Sequence, residues 1–327
     1  MRDRVQWIDI AKGIGIVLVT LGHTNVRHLL GDYVGWWINA FHMPLFFVMA
    51  GLCFDIDRYP GLGRYVLRKI RALAWPYFAL AVFMAVLSVV LYWGTDPAWS
   101  FWGQIKPFVR GETSVNTFWF IKTLFEVEIV FWLVAKGARK PGWIMSVAIV
   151  LGVIGAFVVP EGGKIEKYNT LLVSVFYYAL GYVLKDAARM LSAKRSSLLW
   201  SMGVGAVVVY SVLIAFCFHY TVGYWGCLLG NRYLFFPLSF LAIFGISVLS
   251  MALTHIPYVG ASLVWLGINS IVLMAIHGHC GIFRASWVER GFSGIPSIVL
   301  EYVLFVVLVW VLAGPLNFLV KFPWGRK

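Results

Sequence analysis

The sequence predicts an all-α membrane protein, a single polytopic bundle of ten transmembrane helices, and three features of the chain predict it. Of 327 residues, 61% are hydrophobic and 13% charged, against roughly 45–50% and about 25% in ordinary soluble domains. The 27 Lys and Arg and 14 Asp and Glu cannot clothe a soluble globule of this size, so the apolar surplus, at a mean hydropathy of +0.83, faces lipid. Apolar runs recur along the chain, most of them long enough to cross about 30 Å of hydrocarbon. None shows strand alternation, and backbone polar groups in lipid must be satisfied within each segment, so the runs are read as helices.

In chain order the runs cover 7–27, 36–54, 72–93, 118–135, 143–159, 170–184, 198–218, 233–253, 263–283 and 295–320. Arg2 and Arg4 ahead of the first run imitate a signal peptide, but Lys12 interrupts it and no small-x-small site closes it. It is therefore expected to remain as the first membrane helix, with the mature chain starting at Met1. The second opens on Trp36 and Trp37, and the third ends at Trp93; the fifth opens on Trp143 and the eighth on Tyr233. Indole and phenol rings anchor at headgroup depth. The sixth run is short, and the tenth carries Pro315. Neither a long linker nor a convincing repeat divides the chain, which predicts one integral-membrane domain over 1–327.

Lys and Arg are retained on the cytoplasmic side of a membrane. Of the 27, seventeen fall on the side of the N-terminus and eight on the other, while Lys12 and Lys122 lie inside runs. Both termini are thus expected in the cytoplasm, with the chain multi-pass in the cell (inner) membrane. This asymmetry accounts for the net charge of +13 without a nucleic-acid partner. Cys53, Cys217, Cys227 and Cys280 form no CxxC pair, so neither a disulfide framework nor a metal site is expected.

A charge at the bilayer centre costs at least about 2.5–3.5 kcal/mol on insertion scales, so intramembrane ionisable residues are the functional candidates. They are Lys12, His23, His42, Lys122 with Glu126, and His277. Lys12 and His23, eleven residues apart, share one helix face about 16 Å apart along the axis. Helical rise puts His42 about 9 Å inside the outer end of its span and His277 about 21 Å along the ninth. All three histidines then fall in the outer half. The structural alternatives are hydrogen-bonded core histidines and, for Lys122 and Glu126, an i,i+4 ion pair. His28, His219 and His255 lie near span ends and take no role.

A second signal is the basic loop from Arg58, closing on Arg68-Lys69-Ile70-Arg71. It serves either as a positive-inside anchor or as a phosphate clamp, since guanidinium forks suit phosphate oxygens.

The chain resembles the membrane acyltransferase-3 family, most closely its fucose-4-O-acetylase-like members. The resemblance rests on Trp-Ile-Asp-Ile-Ala-Lys-Gly-Ile-Gly-Ile-Val-Leu-Val-Thr-Leu-Gly-His (7–23) and Phe-His-Met-Pro-Leu-Phe-Phe-Val-Met-Ala-Gly (41–51). It continues through 68–71, Pro76, Phe-Trp-Phe-Ile (118–121) and Leu-Gly-Ile-Asn-Ser-Ile-Val-Leu-Met-Ala-Ile-His (266–277). It implies ten helices and transfer of acyl groups, usually acetyl from acetyl-CoA, to sugars of cell-surface polymers; succinyl-CoA is the other donor considered. It also implies that His23 is essential, with Lys12 standing where many members have Arg, and that Arg68 and Arg71, with Lys69 beside them, hold the donor. His42, Lys122, Glu126, His277, Asn269 and Ser270 are candidates for the acceptor or oxyanion site. Longer members append an extracytoplasmic domain, which this sequence lacks, so the membrane part or a separate partner is expected to complete transfer. The competing reading is a transporter or flippase of a polysaccharide precursor or small solute, against which the sequence offers no duplicated broken helices.

Overall fold

The computed structural model describes residues 5–23, 31–59, 61–91, 101–109, 118–159, 166–277 and 294–321. Among these the regular structure is helical, apart from one antiparallel bridge between Gly223 and Leu228. Arg2, Arg4, Arg27, His28, Trp93, Arg110, Lys164, Cys280, Arg284, Arg290, Arg326 and Lys327 lie outside the described residues.

The chain begins with α1 (Gln6–Gly22), then α2 (Asp32–Asn39) and α3 (His42–Leu52), which a break at Ala40 and Phe41 separates. Next come α4 (Leu62–Lys69), a π-helical turn (Ile70–Ala74), α5 (Trp75–Leu91), α6 (Phe101–Val109) and α7 (Trp119–Ala138). They are followed by α8 (Pro141–Val153), whose end is a second π turn (Ile154–Val158), then α9 (Glu166–Val183), α10 (Lys185–Ser192) and α11 (Ser196–Cys217). A 3₁₀ turn (Tyr224–Gly226) leads to α12 (Arg232–Leu253), α13 (Pro257–Ile268), α14 (Ser270–Ile276) and α15 (Ile295–Lys321).

Among the described residues five helical stretches are long and apolar enough to cross a membrane, namely Asp32–Leu52, Leu62–Leu87, Pro141–Val158, Ser196–Cys217 and Arg232–Leu253, and up to seven if two bent pairs each count as one span. The protein is therefore a polytopic helical membrane protein. Four differences from the sequence reading have physical causes. The basic segment is not a loop, because helix starts at Leu62 and carries Arg68 and Lys69 in its last turn. The helix α6 occupies a stretch read as a loop and, at nine residues, is far too short to span. The stretch after the sixth run, read as a loop, is the separate helix α10, turned 51° from the helix before it. The ninth is interrupted at Asn269, so the depth reckoned for His277 along a continuous helix does not hold.

The helices cluster into two compact units, Met1–Pro60 with Val127–Ser270, and Gly61–Glu126 with Ile271–Lys327. In the first, three helix pairs approach so closely that a methyl group on either partner would overlap the other. Between α1 and α13, Gly13 lies over the Leu263 carbonyl and Gly267 over the Asp9 carbonyl. Between α3 and α9, Gly51 lies over the Tyr178 carbonyl and Gly181 over that of Val48. Between α11 and α12, Gly203 meets Leu249 and Gly245 meets Val207. Lipid offers no hydrophobic drive for helix association, so packing through small residues is the expected source of cohesion. Hydrogen bonds add to it: Trp37 Nε1 donates to Ser211 Oγ (2.9 Å) and Tyr33 Oη to the Ser211 carbonyl (3.0 Å), tying α2 to α11. Thr170 Oγ1 donates to the Tyr224 carbonyl at 3.1 Å, holding the 3₁₀ turn on α9. Burial pushes the Tyr224 hydroxyl well above the ordinary phenol range, so it stays protonated against Ser174. Of the cysteines described, Cys53 and Cys217 are exposed and Cys227 is buried.

In the second unit α5 packs with α6 and α15. Trp75 Nε1 donates to the Leu319 carbonyl at 3.3 Å, and the Tyr77 ring meets Phe118 edge-on at 5.9 Å.

Candidate active site

The two ends of α1 carry the residues singled out first. Near its start, Asp9 is buried at 3% exposure while Lys12 keeps a quarter of its side chain accessible, and the two charges stand 3.9 Å apart. A buried carboxylate is tolerable only when it is compensated, and Lys12 one turn on supplies the opposite charge. The packing of Gly13 and Gly267 fixes the backbone of this turn against α13. Asp9 thus belongs with Lys12, although the sequence reading gave it no role. The signal was present: a carboxylate three residues before a cation within an apolar run.

At the other end His23 is the residue that closes α1, its backbone N–H donating to the Thr20 carbonyl at 3.1 Å. Its side chain is exposed rather than buried, because the helix stops there. His42, the first residue of α3, is half-buried, and its Nδ1 lies 2.9 Å from the Ile38 carbonyl. A carbonyl only accepts, so Nδ1 carries the proton and the neutral ring keeps its lone pair on Nε2. The bond also satisfies a carbonyl at the end of α2, which is why an imidazole sits just past the break. Phe41, fully buried, meets Trp37 and Tyr210 edge-on at 5.3 and 5.5 Å, and the Tyr210 hydroxyl donates to the Trp37 carbonyl, so the break is firmly held. His23 and His42 are close enough to interact electrostatically.

Glu128 is the buried acid of α7 and was not anticipated. It is 5% exposed and accepts a hydrogen bond from Tyr178 Oη at 2.8 Å. The sequence reading chose Glu126, whose side chain is 37% exposed and pairs with Lys122 at 3.6 Å. Helical phase separates the two acids: two residues apart, they point about 200° away from each other.

The remaining candidates lie in or at the edge of the second unit. Arg68 and Arg71 are exposed, and the Lys69 ammonium lies 5.2 Å from the centre of the Tyr65 ring, a cation–π distance. Arg68 precedes the π turn and Arg71 is within it. His277 is buried at 1% exposure beyond the end of α14. Asn269 and Ser270 form the junction of α13 and α14, at the last positions of the first unit. Asn269 is 5% exposed, and its Nδ2 donates to the Trp265 carbonyl at 2.8 Å. The same carbonyl also accepts the Asn269 backbone N–H at 3.1 Å, so the residue caps the end of α13 twice over.

The fold is that of a polytopic helical membrane protein, with His23 exposed at the end of α1 and Asp9, Glu128 and His277 buried. The acyltransferase domain that characterises the acyltransferase-3 family matches residues 5–318, and the chain belongs to that family. It is thus a membrane acyltransferase. No curated relative and no solved structure matches it.

Proposed function

We propose that the protein is an O-acyltransferase that moves an acetyl group from cytoplasmic acetyl-CoA to a hydroxyl of a cell-surface or lipid-linked sugar. It would work as a ten-helix multi-pass protein of the inner membrane with both termini cytoplasmic, as the 17-to-8 distribution of loop cations supports. The observation that carries the reading is the exposed His23 at the end of α1, within electrostatic reach of His42. A neutral imidazole at that position takes the proton of the sugar hydroxyl as its oxygen attacks the thioester carbonyl. The new C–O bond forms, the C–S bond breaks, and the proton passes to the departing CoA sulfur. General-base assistance of this kind is typically worth about 10²–10⁴ in rate. A transient acetyl-imidazole on the same residue is the covalent variant.

Lys12, tethered to Asp9, supplies fixed positive charge on the His23 face of α1. The donor's phosphates are assigned to Arg68 and Arg71, whose exposed guanidinium groups suit phosphate oxygens, with Lys69 beside them. His42, Lys122, Glu126, His277, Asn269 and Ser270 remain the candidates for holding the acceptor and the developing oxyanion.

The test is purified protein in lipid discs with acetyl-CoA and a glycan acceptor, followed by the release of free CoA. Acceptor-dependent release that His23→Ala abolishes supports the reading. Movement of substrate without thioester consumption would instead favour a carrier, a possibility to which the break at Asn269 lends a specific feature. Parallel reactions with succinyl-CoA, and mass spectrometry of surface glycans with and without the protein, identify the transferred group and its recipient.

A further inference from the structure

The first unit contains an apolar cavity of about 320 Å³ at the end where α9 turns into α10. Trp7 of α1, Val48 and Leu52 of α3, Leu180 of α9 and Phe240 of α12 are among the residues lining it. Among the described residues no ionisable side chain lines it, and the one hydroxyl among them, Ser247 Oγ, donates to the Ile243 carbonyl at 2.6 Å. Apart from the Trp7 indole and the Ser247 hydroxyl the lining is apolar, so it suits a hydrocarbon chain far better than a sugar or a nucleotide, whose many polar groups would be left unsatisfied. Leu184 and Phe244, at 44% and 41% exposure, also line the cavity, so it reaches the surface of the unit.

The helix α10 supplies the other half of the argument. It turns Ala187, Ala188 and Leu191 toward the cavity. Lys185, at the start of α10, donates its ammonium to the Phe54 carbonyl at 2.9 Å and so is held against the unit. At 100° per residue, Arg189 falls on the face opposite the cavity, and Lys194 and Arg195 follow directly. These three cations face one acid, Asp186, which is exposed and 3.6 Å from Arg189. A short amphipathic helix with a basic outer face and an apolar inner face is the form that lies at a membrane interface and attracts anionic lipid.

We infer that this cavity holds one acyl chain of an anionic phospholipid of the bilayer, with the lipid phosphate met by the cations of Arg189, Lys194 and Arg195. The site concerns membrane binding and does not depend on which acyl group the protein transfers. Its position gives the bound chain a structural consequence, since it would brace Trp7, two residues from Asp9.

The test is crosslinking in lipid discs with a phosphatidylglycerol that carries a diazirine in its acyl chain, read by peptide mass spectrometry. Adducts are expected on Leu184, Phe244 and the α10 segment. Labelling confined to outward-facing positions of α11 such as Val208 and Val212 would overturn the inference. Native mass spectrometry of the delipidated protein should show phosphatidylglycerol retained at least tenfold better than phosphatidylcholine, and equal retention would overturn it. The triple substitution Arg189→Glu, Lys194→Glu and Arg195→Glu should remove that preference, whereas Ala188→Trp should remove retention of both lipids. Crosslinking on the native chain keeps the inference falsifiable if either variant fails to fold. Displacement of the phospholipid by palmitoyl-CoA but not by palmitate would assign the cavity to an acyl donor and overturn the phospholipid assignment.

Discussion

The two ends of α1 are built on opposite principles. At the start, the backbone is pressed against α13 through Gly13 and Gly267, and a buried Asp9 is held beside a half-buried Lys12. At the finish, a Cβ on Gly22 would meet, among the described residues, only the Ile38 side chain, and His23 is exposed. Charge is locked where the helix is clamped, and the imidazole is presented where the helix is loose. The contrast fits the proposed mechanism, which asks for a fixed electrostatic frame at one end and access for an acceptor at the other.

The largest expected effect tests the open end. His23→Ala should lower acyl transfer by about 10²–10⁴-fold while the melting temperature in detergent stays within a degree or two of the native protein. A comparable loss of stability would make this end structural. The clamped end should behave in reverse: Gly267→Leu or Gly13→Val, which drive a side chain into the opposing backbone, should cost about 1–3 kcal/mol or more and lower the yield of monodisperse protein on size-exclusion chromatography. Gly22→Ala is the matched control and should change stability by no more than about 0.5 kcal/mol; a large loss there would erase the asymmetry. Asp9→Asn removes the partner of a half-buried cation and should cost about 1–3 kcal/mol, partly recovered in the double variant with Lys12→Met. The smallest effect belongs to the exposed pair of α7. A double-mutant cycle on Lys122→Met and Glu126→Gln should give a coupling of about 0.3–0.5 kcal/mol, well below that of Asp9 with Lys12.

The sequence made the positions of the long helices legible because hydropathy alone decides which segments dissolve in lipid. Interruptions within them were not legible. Leu-Gly-Ile before Asn269 and Ile-Val-Leu after Ser270 are equally apolar and contain no proline, so the break shows only once the Asn269 amide is seen on the Trp265 carbonyl. The π turn at Ile70–Ala74 likewise has no local signature. For the site, periodicity put Lys12 and His23 on one face and predicted the pairing of Lys122 with Glu126. It passed over Asp9 and Glu128, because burial of a single carboxylate depends on what packs against it. Glu128 is buried through the approach of α9, which brings the Tyr178 hydroxyl to it. It also expected a sheltered His23, whereas the termination of α1 leaves that ring accessible.

Two of the native thiols turn the molecule into a reporter of its own sidedness. Cys53 closes α3 and Cys217 ends α11, both within reach of a reagent, while Cys227 is shielded. In the proposed orientation they emerge on opposite faces of the bilayer. With Cys280→Ser in place, a maleimide too large and charged to cross lipid should tag Cys217 in intact spheroplasts and Cys53 only in inverted vesicles.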